Sequence, residues 1–199
     1  MIVGFKGWQD KGKTALALLA AKELILYHGY STNEFVANVA VNWPGSHCLT
    51  SLQLRQYIRA MVSKGLKHKI ILLDEVDRLF PARFWQDAAQ TEALIGLWQD
   101  EKLFNYILYT AHRGTSLDII MRLCTQIEIE PDYDEKNDCI DFTVYNAVDG
   151  FVFDDCAENV SKTIFPDYNR WAVIDYQRQK AGETAYDRVM TGVPAPNSS

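Results

Sequence analysis

The sequence predicts an α/β fold: a mostly parallel sheet flanked by helices, with antiparallel edge strands in its C-terminal third. Three observations carry that prediction. Short apolar runs alternate with helical segments from residue 2 to residue 124. One run, 70–73 (IILL), is apolar without interruption, the pattern of a strand covered on both faces. Beyond residue 125 the pattern changes to strict alternation in "TQIEIE" (125–130) and "CIDFTVYNA" (139–147), joined by the acidic turn "PDYDEKND".

Taken in order, residues 2–5 (IVGF) form a short buried strand, and 14–27 (TALALLAAKELILY), rich in Ala and Leu, form a helix. Residues 34–41 (EFVANVAV) read as a strand stopped by "NWPGS". A helix over 50–65 opens on Thr50 or Ser51 as N-cap and closes at Gly65. The buried strand of 67–77 follows, then a helix over 85–101, a second buried strand over 105–111 (NYILYTA) and a short helix over 116–124. The segment 151–155 (FVFDD) pairs with the strand of 139–147. Residues 1–180 make one domain, and the polar stretch 181–199 makes a loose C-terminal tail.

Composition narrows the class. Hydrophobic residues at 48% and charged residues at 23% describe a soluble globular chain. The apolar stretch 15–27 contains Lys22 and Glu23 and is too short to cross a bilayer, so no membrane span is expected. Four cysteines (Cys48, Cys124, Cys139, Cys156) lie apart without C-x-x-C spacing, which predicts buried free thiols in a reducing compartment and no metal site. A net charge of −6 argues against a protein whose whole surface binds nucleic acid, and leaves room for a local basic lining such as that of a pore.

The joint between the first strand and the first helix reads "GWQDKGKT": Gly7, Trp8, Gln9, Asp10, Lys11, Gly12, Lys13 and Thr14, with Ala15 next. This matches G-x-x-x-x-G-K-[ST] in the strand-to-helix setting the motif requires. Glycines let the backbone wrap phosphates with its N–H groups inward, and the helix adds its positive end. Residues 7–15 are therefore the candidate ATP cradle, with Lys13 reaching the β- and γ-phosphates and the Thr14 hydroxyl ligating Mg²⁺. The interior of the loop is bulkier than usual, and Asp10 is an odd neighbour for a triphosphate.

"IILLDEVDR" supplies the complement. A carboxylate at a strand tip beside that loop holds Mg²⁺, the role expected of Asp74. The adjacent Glu75 is placed to orient and activate a water as general base. Alone, such a pair also suits a solvated strand end; with the lysine-bearing loop upstream, the two motifs define a P-loop NTPase of the RecA-like (ASCE) kind. Glu75 favours hydrolysis over mere binding. At the end of the next buried strand, "YILYTAHRG", His112 or Thr110 could sense the γ-phosphate, or His112 could be an ordinary surface histidine. Arg113 either contacts phosphate or caps the following helix.

The order Gly7 to Thr14, Asp74-Glu75, a helix, then "ILYTAHRGTSLDIIMRL" resembles the HerA/FtsK superfamily of DNA-pumping ATPases over most of residues 1–130. Within it the chain is most similar to small viral genome-packaging ATPases, with phage assembly ATPases of the zonula occludens toxin type as near relatives. "A-H-R" at 111–113 resembles the family's T-Q-R-type sensor with His112 in place of Gln, and "PAR" at 81–83 and "LDIIMR" resemble family positions. Glu101-Lys102 stands where the family often has Arg-Lys, a departure.

The resemblance implies a homo-oligomeric ring, a hexamer, with ATP at subunit interfaces and an arginine completing the neighbour's site. Arg122, Arg113 and Arg83 are the candidates, in that order. It further implies double-stranded DNA gripped through its backbone, a capsid or membrane-vertex partner, and a place in the host cytoplasm or with the virion. Two other readings stand beside packaging: a filamentous-phage assembly ATPase, and a nucleotide-dependent oligomeric switch with little turnover.

Overall fold

The computed structural model describes residues 1–50, 53–54, 56–58, 60, 68–79, 104–112 and 119–168. The expected helix of 85–101, the basic position Arg83, the pair Glu101-Lys102, Arg113 and the tail of 181–199 lie outside the described residues.

Among the described residues eight strands form one sheet: β1 (Ile2–Gly7), β2 (Phe35–Ala37), β3 (His47–Cys48), β4 (His68–Leu73), β5 (Phe104–His112), β6 (Ile127–Asp134), β7 (Cys139–Asn146) and β8 (Val152–Glu158). Their order across the sheet is β3-β2-β4-β5-β1-β6-β7-β8. Every pairing from β3 to β6 is parallel, and β6-β7 and β7-β8 are antiparallel. The predicted fold class is thus the observed one, with β7 and β8 as the antiparallel edge.

The apolar run of β4 is explained by burial on both sides. Ile70 and Leu72 pack with helix α1 (Lys13–His28), together with Phe5, Leu18, Phe35 and Leu108. Ile71 and Leu73 point the other way, into a second cluster with Leu54, Ile58, Ile107 and Tyr109. Strand alternation sends successive side chains to opposite faces, so a strand apolar at every position must have both faces covered. α1 ends on Gly29 in a left-handed conformation, with the Tyr30 N–H returning to the Ile25 carbonyl. The described residues of 53–60 are helical, and Thr50 caps them: its Oγ1 accepts from the Gln53 N–H while the Thr50 N–H donates to Gln53 Oε1.

Three expectations are corrected, and one strand was not foreseen. Of 34–41 only Phe35–Ala37 is strand; Asn38 leaves it to bond the tip of β4, and Val41 forms an isolated bridge to Tyr168. The two-residue strand β3 is too short to leave a periodic signal. The acidic turn is only its second half, because β6 runs on through Pro131–Asp134 in register with Cys139–Phe142. None of the four cysteines is fully buried: Cys48, Cys124 and Cys139 are partly exposed and Cys156 is exposed.

Candidate nucleotide-binding site

The strand order builds the site. β5 lies between β1 and β4, so the strand bearing the acidic pair is next but one to the strand bearing the loop, not directly beside it as the sequence suggested. β1 and β5 run in register to their ends, where Gly7 pairs with His112. The loop after β1 and the tip of β4 therefore meet across the end of β5, at the carboxyl edge of the parallel strands where α/β sheets bind ligands.

The loop itself turns through two left-handed residues, Asp10 (φ 58°) and Gly12 (φ 82°). At Gly12 a Cβ would come within 2.9 Å of the Ile140 side chain and 3.3 Å of Tyr133, so the β6–β7 hairpin backs the loop and only glycine fits. Lys11 reaches the same hairpin through an exposed ion pair with Asp132 at 2.5 Å. Trp8, Gln9 and Asp10 are exposed, whereas Gly7, Lys13 and Ala15 are buried. α1 begins at Lys13 with no side-chain cap and no acidic residue in its first turn. The unpaired N–H groups of that turn are thus left to an anion.

Lys13 is 8% exposed and donates to the Trp8 carbonyl at 2.6 Å. Burial pushes its ammonium below the usual lysine range, opposed by the nearby carboxylates of Asp74, Glu75, Asp77 and Asp10. Thr14 Oγ1 donates to Asp74 Oδ1 at 2.7 Å. The same oxygen accepts from Thr110 Oγ1 at 2.8 Å, and Thr110 in turn accepts the Glu75 N–H at 2.8 Å. Asn38 brackets the Asp74 backbone on both sides, donating to its carbonyl at 2.8 Å and accepting its N–H at 2.6 Å. Glu75 itself has φ 50°, a left-handed conformation that costs about 1–3 kcal/mol outside glycine and is held here by Thr110.

Of the predicted site residues, the structure brings Lys13, Thr14, Asp74 and Glu75 together. Thr110, one of the two expected sensors, is 1% exposed and committed to the acidic pair. His112 sits at the end of β5 with Nδ1 3.2 Å from Asp77 Oδ2. Arg122 is exposed in the last turn of the helix Ile119–Cys124. Two contributors were missed. Asn38 was counted as one more strand residue, and Asp77 as the last residue of the strand 67–77, whereas β4 ends at Leu73 and Asp77 lies in the short helix Val76–Leu79. Asp77 Oδ1 is buried with no hydrogen-bond partner among the described residues. The unusual polar Asn within an apolar strand was the available signal for the first; Asp77 had none.

The donor set suits a hard divalent cation: a hydroxyl and a carboxylate oxygen share one point, beside a buried ammonium and an uncapped helix start. Magnesium fits these residues, with Thr14 and Asp74 as the groups that would hold it.

A buried lysine in a glycine-bounded loop, facing an acidic pair across an intervening parallel strand, defines a P-loop NTPase. Residues 3–132 match the model of the ATPase family associated with various cellular activities (AAA), and the chain belongs to that family. No curated protein matches the chain. Among solved structures it is similar to the N-terminal domain of zonular occludens toxin from Neisseria meningitidis, at 12% identity and TM-score 0.50, covering 84% of this chain and 98% of that one. It is also similar to the genome packaging NTPase B204 from Sulfolobus turreted icosahedral virus 2. The sulfate complex of B204 matches at 14% identity and TM-score 0.55, covering 77% of this chain and 94% of that one. Its complex with ATP-gammaS matches at 15% identity and TM-score 0.54, covering 77% and 95%. At these identities the likeness is one of fold.

Proposed function

We propose that this protein is an ATP-hydrolysing motor of the HerA/FtsK kind that drives double-stranded DNA through a homo-oligomeric ring, in viral genome packaging. The observation that carries the reading is the shared hydrogen-bond network of Thr14, Asp74, Thr110 and Glu75 at one strand edge. It ties the phosphate loop, the acidic pair and the end of β5 into one unit. The fold likeness to B204 spans nearly the whole of that packaging NTPase and supports the same reading.

In this reading the first-turn N–H groups of α1 and the Lys13 ammonium bind the β- and γ-phosphates. Lys13 gives up the Trp8 carbonyl to do so and regains its ordinary charge preference beside the triphosphate. Thr14 and Asp74 would hold magnesium, which would supply charge neutralisation at the phosphates. Asn38 and Thr110 keep Asp74 in one orientation, and Thr110 holds the strained backbone of Glu75 so that its carboxylate takes the proton of the attacking water. An arginine from a neighbouring subunit stabilises the charge on the transferred phosphoryl group; exposed Arg122 is the first candidate, and Arg113 and Arg83 follow. His112, held by Asp77, is the sensor that reports the γ-phosphate. The DNA is held through its phosphates, without sequence readout. A capsid or membrane-vertex protein is the docking partner, in the host cytoplasm or on the virion.

The fold likeness to the zonular occludens toxin domain supports a second reading, an ATPase that assembles and extrudes filamentous phage. Among the described residues no helix is long and apolar enough to cross a membrane. The deciding experiment measures ATP turnover with and without duplex DNA on rings of known size. Packaging predicts stimulation by duplex DNA and its loss in Lys13→Ala. Turnover indifferent to any duplex would overturn DNA translocation, and negligible turnover with intact ATP binding would leave an oligomeric switch.

A further inference from the structure

Cys139, Asp141 and Cys156 stand well apart in sequence and together in space. Asp141 pairs directly with Cys156 across β7 and β8, and Cys139 lies two residues along β7 on the same face. Their two sulfurs and a carboxylate oxygen lie within 4.8 Å of one another. This face is the one opposite to Ile140 and Phe142, which pack toward α1. It opens onto a groove whose walls include Asp132, Asp141 and Cys156.

The geometry points to a surface site for a thiophilic divalent cation of the zinc class, held by the thiolates of Cys139 and Cys156 and the carboxylate of Asp141. The ligand types are right: two soft sulfurs and one oxygen match zinc better than magnesium or calcium, which take oxygen only. Spacing separates this from a disulfide. Cys139 and Cys156 are diagonal neighbours, and diagonal positions on an antiparallel pair are about 7–8 Å apart, beyond the usual Cα separation of a disulfide, up to about 6.8 Å. Two thiolates on one tetrahedral zinc, with Zn–S bonds of about 2.3 Å, lie about 3.8 Å apart, within the 4.8 Å that encloses these sulfurs. Three protein donors leave a fourth position for water. Binding releases the two thiol protons to solvent and ties the edge strand β8 to β7. Asp132, opposite Asp141 in the register and paired with Lys11, places the cation two strands from the phosphate loop without sharing its ligands.

The test uses the full chain with reduced thiols and cobalt(II) as spectroscopic probe, followed by competition with zinc(II). The expected result is a thiolate-to-cobalt charge-transfer band that saturates at one equivalent and is removed by zinc. C139S and C156S should each weaken binding more than about a hundredfold, since loss of a ligand exceeds the tenfold to hundredfold typical of its supporting groups. D141N should weaken it less and shift the cobalt spectrum, and the C48S/C124S double variant should bind like the parent. Zinc should also slow alkylation of Cys139 and Cys156, read peptide by peptide, while Cys48 is unaffected. Absence of the band in the parent, or its survival in both C139S and C156S, overturns the site. So does formation of a Cys139–Cys156 disulfide as readily with zinc as without it. Cys156 is exposed on an edge strand, so C156S is the variant that decides if C139S fails to fold.

Discussion

The parallel core and the antiparallel meander belong to one sheet and differ in what covers them. β4 is buried on both faces from Ile70 to Leu73, whereas β8 is exposed along nearly its whole length. The acidic pair stands at the tip of the buried strand, where Asn38, just past the end of β2, and Thr110 of β5 hold it by hydrogen bonds. The meander presents Asp154, Asp155 and Glu158 along β8, which is the edge of the sheet among the described residues, charges that discourage another strand from adding there. A catalytic group must be held in one orientation, and the doubly buried strands provide that rigidity. The meander contributes from outside, by backing the phosphate loop with Ile140 and Tyr133.

The largest effect that would break this contrast is on turnover. Glu75→Gln keeps the shape of the strand tip and removes the proposed base, so ATP hydrolysis should fall about 10²–10⁴-fold with ATP affinity retained. Steady-state turnover beside binding of a fluorescent ATP analogue checks it, and unchanged turnover would move the chemistry out of the core. Next comes stability. Leu72→Ala empties a fully buried site and should cost about 2–5 kcal/mol, while Val152→Ala on the exposed edge should stay within about 0.5 kcal/mol. Urea unfolding of the two variants measures both, and a comparable loss at Val152 would mean that another surface covers β8.

Gly4→Ala tests the core at backbone level. A Cβ there would overlap the ring of Tyr109, which crosses β1 to bond Thr125 at 2.8 Å. A loss of about 1–3 kcal/mol is expected from overpacking, visible as a lower unfolding midpoint, and full stability would show that Tyr109 has room to move. A smaller effect than that of Gly4→Ala belongs to the contact between the two regions. Lys11 and Asp132 are 43% and 70% exposed, so Lys11→Ala should cost no more than about 1 kcal/mol, and less in high salt. A larger, salt-independent loss would make that pair the main support of the loop, in place of Ile140 and Tyr133.

How much of this was legible depends on the range of each interaction. The loop motif, the acidic pair and the uninterrupted apolar runs are local patterns, and Lys13, Thr14, Asp74 and Glu75 were found from them. Asn38 was not: its polarity stands out within "VANVAV", but its partner is 36 residues away and nothing local names it as Asp74. Thr110 was read as a sensor from its place at a strand end; that its hydroxyl joins Asp74 to Glu75 follows only from β5 lying between β1 and β4. The thiols were read as buried and unrelated, since no C-x-x-C spacing joins them, and the β7–β8 register is what brings two of them to one face.

Periodicity and motif spacing by themselves determined the α/β class, the parallel core and the chemical identity of the phosphate loop and acidic pair. They could do so because side-chain alternation and backbone turns are set by neighbours along the chain. The order of the strands, the supports of Asp74 and Glu75, and the gathering of Cys139, Asp141 and Cys156 were decided by tertiary structure alone. Each depends on which distant segments hydrogen-bond side by side, and burial selects that pairing collectively across the whole sheet.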